Sequence, residues 1–274
     1  MHTSRVTHID VLLDLLPAAP AVLVRVESTQ GSVPRGPGTW MAVLADQLIG
    51  TIGGGNLEFQ AIAEARARLA GRAIGGDDVL RYPLGPSLGQ CCGGVVHLRF
   101  EPIDAADIPR LRQSLAVAHP PVALFGGGHV GFALVQVLAR LPFGLTWIDS
   151  RDGIFPDTLP GDVRCEHSDP VHQAVYDLQP GSRVLIMSFS HAEDLDIVAA
   201  CLQRQRAQGD LPFIGLIGSR TKWASFRQRL EARGFDAGDL ARVTCPIGVP
   251  GIHGKEPEVI AVAVAAQLLQ SITS

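Results

Sequence analysis

Val122-Ala-Leu-Phe-Gly126-Gly127-Gly128-His129-Val130-Gly131-Phe132 decides the fold of this chain. An apolar run of strand length ends in glycines spaced G-x-G-x-x-G. It opens directly onto Phe132–Arg140, where apolar residues recur at helical spacing. The next apolar segment, Leu145-Thr-Trp-Ile-Asp149, ends in an acid eighteen residues after Gly131. Strand, glycine turn, helix, strand and acid in that order describe a dinucleotide-binding unit. On this reading Gly126 allows the tight turn and Gly128 lets the backbone approach a pyrophosphate. Gly131 lets the helix pack close to the sheet, and Asp149 takes a pair of ribose hydroxyls. With Gly127 and His129, the helix N-terminus offers unpaired N–H groups to the anion. The plainer alternative is a doubly wound sheet with nothing more than a tight glycine turn.

The rest of the second half alternates in the same way. Strand-like segments fall at 122–126, 145–149, 162–166, 183–190, 212–219 and 242–244, and helical patterns at 192–207, 221–233 and 256–271. Such alternation requires a mostly parallel sheet with helices on both faces, a Rossmann-like domain over 121–274.

The first half reads differently. A helix is expected over Ser4–Leu16, stopped by Pro17, and strands over Ala21–Val26, Thr39–Leu44, Val79–Leu84 and Val95–Phe100. Between the first two lies an irregular loop, Ser28–Gly38. A glycine turn, Gly50–Asn56, precedes a helix from about Leu57 to Leu69. These elements make a smaller α/β domain over 1–105. Residues 106–120 are expected to be a connector closed by Pro120-Pro121.

Composition narrows the classes. Of 274 residues, 46% are hydrophobic and 18% charged, which describes a filled globular protein rather than a disordered one. A net charge of −4 argues against nucleic acid, which selects a basic face. The start, Met1-His-Thr-Ser-Arg-Val-Thr-His8, lacks the apolar stretch of a signal peptide, and no apolar run is long enough to span a bilayer. Five cysteines, two of them adjacent, are unlike a secreted disulfide framework. A cytoplasmic protein is expected.

Several residues are candidates for chemistry. Cys91 and Cys92 sit in Gly89-Gln-Cys-Cys-Gly-Gly94. Neighbouring glycines leave these thiols reachable, and thiolates suit soft or sulfur-bearing metal centres. Two small side chains in a tight turn is the competing reading. Gly53, Gly54 and Gly55 precede a helix and form a second candidate anion cradle. Arg35, between Pro34 and Gly36, suits a phosphate or carboxylate fork. His191 follows a strand at its carboxyl end, where open α/β sheets place ligands. Asp194 is the natural cap of the helix that follows. Arg151, and Ser219, Arg220 and Lys222 after the 212–219 strand, are placed to meet an anionic ligand. His253 and Lys255 lie in a long irregular loop before the last helix, a setting that is usually functional. Cys165, Cys201 and Cys245 read as core or incidental.

Taken together, these segments resemble the xanthine dehydrogenase accessory proteins of the XdhC/CoxI family, most closely the XdhC branch. The resemblance rests on Gly31-Ser-Val-Pro-Arg35 with Met41, Gly50-Thr-Ile-Gly-Gly-Gly55 with Glu58, and Cys91-Cys-Gly-Gly94 with Glu101-Pro102. The second half adds Phe125–Gly131, Ile148-Asp-Ser-Arg151 with Phe155-Pro156, Ser190-His191 with Asp194, Ile217-Gly-Ser-Arg220, Pro246-Ile-Gly248 and Gly254-Lys-Glu-Pro257. It implies a chaperone for molybdopterin, the molybdenum cofactor. Such a protein holds the cofactor while a cysteine desulfurase supplies its terminal sulfur, then delivers it to apo-xanthine dehydrogenase. It also implies a homodimer. Cys91 and Cys92 are then expected to contact the metal or sulfur, in a thiol turn facing the cleft between the domains. The competing function is an NAD(P)-dependent oxidoreductase, which takes the glycine turn and Asp149 at face value but lacks a proton-transfer pair beyond His191. A redox-sensing thiol protein is a third reading, resting on the vicinal cysteines alone.

Overall fold

The structure, a computed structural model, describes residues 7–72, 77–85, 93–115 and 119–272. Its elements in chain order are α1 (His8–Leu15), β1 (Ala21–Gln30), β2 (Trp40–Val43), β3 (Leu48–Gly50), α2 (Gly55–Leu69), β4 (Val79–Pro83), β5 (Val95–Ile103) and α3 (Ile108–Ser114). There follow β6 (Pro121–Phe125), α4 (His129–Leu138), β7 (Gly144–Asp149), β8 (Val163–His167), α5 (Ala174–Asp177), β9 (Arg183–Ile186) and α6 (His191–Gln208). The chain ends with β10 (Phe213–Leu216), α7 (Arg220–Glu231), α8 (Ala237–Leu240), β11 (Val243–Thr244) and α9 (Pro257–Gln270). It divides into two compact units, 6–117 and 118–274. None of the described helices is long and apolar enough to cross a membrane.

The N-terminal unit is an antiparallel sheet, ordered β3-β2-β1-β5-β4, with helices on both faces. Alternation along β1 sorts its side chains: Val22, Val24 and Val26 pack with Leu57, Ala61 and Ala65 of α2, while Ala21 and Leu23 pack with Leu12 of α1 and Leu111 of α3. Thr7 opens α1 with a reciprocal cap, its hydroxyl accepting from Asp10 N–H while the Asp10 carboxylate accepts from Thr7 N–H.

Three expectations change in this unit. β1 runs on to Gln30, where an irregular loop was expected, because β5 pairs with it as far as Gln30↔Val95 after a register shift at Val26/Ser28. Leu48–Gly50, assigned to no strand from the sequence, pairs with β2 as a short edge strand. Within the stretch read as a connector, α3 buries Leu111, and Leu115 follows it into the same core.

The C-terminal unit is a six-stranded, wholly parallel sheet in the order β8-β7-β6-β9-β10-β11. Counted along the chain this is 3-2-1-4-5-6, the dinucleotide-fold order, with the switch point between β6 and β9. Successive residues of β6 feed opposite cores. Val122 and Leu124 pack under α4 and α9, and Ala123 and Phe125 pack under α6 and α7. Strands at 183–190 and 212–219 prove shorter than expected, ending at Ile186 and Leu216. Their last residues form loops at the carboxyl edge of the sheet.

Candidate functional site

The glycine turn after β6 has the tight geometry expected at Gly126 and Gly131, and the backbone shows why. Gly126 has φ +123°, and a Cβ there would run into the Met187 carbonyl. Gly131 faces the same turn from α4, and a Cβ on it would run into the Gly126 carbonyl. That carbonyl also accepts from Trp147 Nε1 at 2.9 Å. Gly128 is different: it is exposed, its φ is −75°, and a Cβ would meet nothing within 4 Å. It stands at the N-cap of α4 without a side-chain cap, so the N–H groups of the first turn, at His129 and Val130, are left for a ligand.

The helix ends that follow β9 and β10 contrast with this one. Ser190 caps α6 by accepting from Glu193 N–H at 3.2 Å, and Ser219 caps α7 by accepting from Lys222 N–H at 3.1 Å. Ser219 is therefore occupied by its own helix rather than facing a ligand. α9, like α4, lacks a side-chain cap and begins with Pro257. The N-termini of α4 and α9 flank one groove of about 720 Å³. Gly127, Gly128, His129 and Arg151 form its polar end, Phe132, Val137, Ile154 and Val262 its apolar walls, and Glu258 a single acid. The volume suits a small organic ligand.

Asp149 is not the ribose acceptor that its position suggests. It is 2% exposed, and its carboxylate accepts from Gly127 N–H at 2.5 Å and from Arg151 N–H, Nε and Nη2 at 2.9 Å each. Burial works to raise its pKa, but the Arg151 side chain and the two backbone donors outweigh it and hold the carboxyl below its ordinary value. Gly127 lines the groove, but its N–H is spent on Asp149 and a Cβ there would meet Ile154 at 2.5 Å. The acid thus shapes the turn and orients Arg151.

A second internal pair changes the reading of Asp194 and Lys222. Asp194, 2% exposed, caps no helix; it accepts from Ser188 N–H at 2.8 Å and Ser188 Oγ at 2.7 Å, while Lys222 Nζ stands 2.6 Å from its other oxygen. Lys222 also donates to the Ile217 carbonyl at 2.9 Å, so its ammonium is consumed inside the fold. His191 is exposed at the start of α6, its ring edge-on to Phe226 at 6.2 Å. Arg220, His253 and Lys255 are exposed and do not line the groove.

In the N-terminal unit, three motif loops converge. A Cβ on Gly53 would meet Pro34 at 2.9 Å and Arg35 Cγ at 3.3 Å, and one on Gly94 would meet Ser32 O at 2.5 Å. The Gly31–Arg35 loop therefore lies against both Gly53 and Gly94. The Gly53–Gly55 turn is already filled by the chain's own anion. Glu58 accepts from Thr51 Oγ1 at 2.5 Å, Ile52 N–H at 3.0 Å and Gly54 N–H at 3.1 Å. Burial opposes ionisation of Glu58, but these donors prevail and its pKa is lowered. Cys91 and Cys92, and with them the expected cleft-facing thiol turn, lie outside the described residues. Among the described cysteines, burial pushes the Cys201 and Cys245 thiols up, Cys245 to about 11, and raises Cys165 as well. None of the three is a thiolate donor at neutral pH.

Sequence reasoning missed the walls of the groove and both buried carboxylate networks. Phe132, Ile154 and Val262 carry no motif. Thr51 and Glu58, seven residues apart, were legible only as neighbours of glycines.

Comparison with known proteins fits this geometry. A model of the XdhC Rossmann domain matches residues 122–268, and a model of the XdhC and CoxI family matches residues 17–83. The chain belongs to the XdhC/CoxI family. An Escherichia coli K12 protein, the uncharacterized YqeB, is 27% identical over 263 residues, covering 92% of this chain and 43% of YqeB. The chain thus spans less than half the length of that relative. A Bacillus halodurans crystal structure described as a xanthine dehydrogenase shares the fold, with a TM-score of 0.75 at 20% identity over 97% of this chain and 96% of that one.

Proposed function

We propose that this XdhC protein takes part in maturation of a xanthine dehydrogenase-type molybdoenzyme by binding molybdopterin as cargo. It holds the cofactor while a cysteine desulfurase supplies the terminal sulfur, and passes it to the apo-enzyme, acting as a cytoplasmic homodimer. Family membership supports the maturation role. One observation carries the binding role: the uncapped N-terminus of α4, with Gly128 open to solvent, at the polar end of a ligand-sized groove. The cofactor's phosphate is suited to the N–H groups of His129 and Val130, with Arg151 completing the charge.

The test is to express the protein in molybdenum-replete cells and measure molybdenum and pterin per chain, with NAD(P) binding measured alongside. Gly128→Val, at an ordinary φ and in open space, is expected to lower unfolding free energy by no more than about 1 kcal/mol, the usual scale of a poorer N-cap. It should weaken cofactor binding by about tenfold or more, because the added methyl groups stand where the phosphate approaches. Undiminished cofactor binding in this folded variant would sink the assignment.

The strand order favours one other reading, a nicotinamide-dependent oxidoreductase. It is ranked second because Asp149 is already spent on Gly127 and Arg151, and His191, its candidate for proton transfer, does not line the groove.

Cys91 and Cys92 are proposed to meet the metal end of the cargo. Cys91→Ser and Cys92→Ser should each lower molybdenum or sulfur retention while the unfolding midpoint stays put. Lost stability with unaltered binding is what packing thiols would give instead, and would remove them from the site.

A further inference from the structure

Phe189 sits in the loop between β9 and α6 and is 68% exposed, although everything around it is fastened. Ser188 is held by Asp194 through both its N–H and its hydroxyl, and Ser190 caps α6. Arg151, across the switch point, lays its guanidinium 4.8 Å from the centre of the Phe189 ring. The guanidinium is itself forked onto Asp149 through Nε and Nη2, and the preceding Ser150 is tied to Glu193 at 2.6 Å. A large aromatic left in water between anchored neighbours forgoes the stabilisation that burial would bring. Such a side chain, placed beside a fixed cation at the carboxyl edge of a parallel sheet, has the properties of a stacking platform. Phe189 is not among the residues lining the groove, but Arg151 lines it with Gly127 and Gly128, so the guanidinium that faces the Phe189 ring also borders the anion cradle.

We propose that Phe189 and Arg151 form a shelf for the flat, conjugated heterocycle of a ligand whose phosphate sits at the N-terminus of α4. The chemistry fits a pterin or a purine, and the choice of pterin rests on the function proposed above. Stacking on an aromatic side chain contributes about 1–3 kcal/mol per ring, or roughly five- to 150-fold in affinity.

Binding would be measured by fluorescence for a phosphorylated pterin and by its displacement with ADP and with inorganic pyrophosphate. Phe189→Ala is expected to weaken the phosphopterin about tenfold and to leave pyrophosphate unchanged, and Phe189→Tyr to restore wild-type affinity. At an exposed position the substitution removes little packing, and an unfolding curve for each variant checks that the fold is kept. If Phe189→Ala binds phosphopterin as the wild type does, the shelf is refuted while the cofactor reading stands. If only ADP binds, and depends on Phe189, the shelf stands and the cofactor reading falls. Equal loss of pyrophosphate would refute the shelf, since the effect would not belong to the ring; binding of neither ring would refute both.

Discussion

Asp194→Ala is expected to destabilise the C-terminal unit by about 3–5 kcal/mol, as breaking a buried ion pair from one side does. The two side chains are 3% and 12% exposed, and Lys222 Nζ lies 2.6 Å from the carboxylate. Truncation leaves an ammonium with the Ile217 carbonyl as its remaining hydrogen-bond acceptor, and it orphans the Ser188 N–H, while the Ser188 hydroxyl keeps only the Ser190 carbonyl at 3.2 Å. Lys222→Met should cost less, because the carboxylate keeps both Ser188 donors. A double variant, Asp194→Leu with Lys222→Met, should be more stable than Asp194→Ala alone, since no charge is left buried without a partner. Urea unfolding followed by far-ultraviolet circular dichroism measures all three. A loss below 1 kcal/mol for Asp194→Ala would mean that water screens the pair despite its burial.

Gly126→Ala is expected to cost roughly 2–6 kcal/mol, summing the strain of a left-handed φ with that of overpacking. Its φ of +123° is one that alanine rarely adopts, and the new methyl group collides with the Met187 carbonyl. That collision pries apart β6 and β9, whose junction is closed by Met187 N–H donating to the Phe125 carbonyl at 2.8 Å. Gly128→Ala, two residues on, should cost no more than about 1 kcal/mol, the scale of a poorer N-cap. Thermal and urea unfolding of the pair would separate the glycine that builds the turn from the one that faces the ligand. Similar losses in both would show that Gly128 is also structural and weaken the ligand assignment.

The doubly wound fold was legible because its signals are local. Period-2 and period-3.6 patterns, and a glycine turn between a strand and a helix, need only a few neighbouring residues to be read. Gly126 and Gly131 were assigned their roles correctly for the same reason: the turn and the helix start lie within six residues. The N-terminal elements were readable in outline, but β3 and the extension of β1 to Gln30 were not. Both exist through pairing with distant strands, β2 and β5.

Charged residues were where sequence reading went wrong. Asp149 has the position of a ribose acceptor and Lys222 that of an anion ligand, yet each is neutralised by the fold. Arg151 is only two residues from Asp149, but its fork depends on the turn that brings both side chains to one face. Asp194 is twenty-eight residues from Lys222 and meets it only because β9 and β10 are neighbours in the sheet. Likewise Glu58 fills the very turn whose N–H groups were taken as an open cradle.

By itself, then, the sequence determined the parallel dinucleotide-type sheet, the glycine turn and the family, since hydrophobic periodicity and glycine conformation act over short spans of chain. Only the tertiary structure decided which polar groups remain free to bind. A buried charge finds its partner wherever the fold places one, and what is left unpaired, the first turn of α4 with Phe189 and Arg151 nearby, is the residue of that pairing.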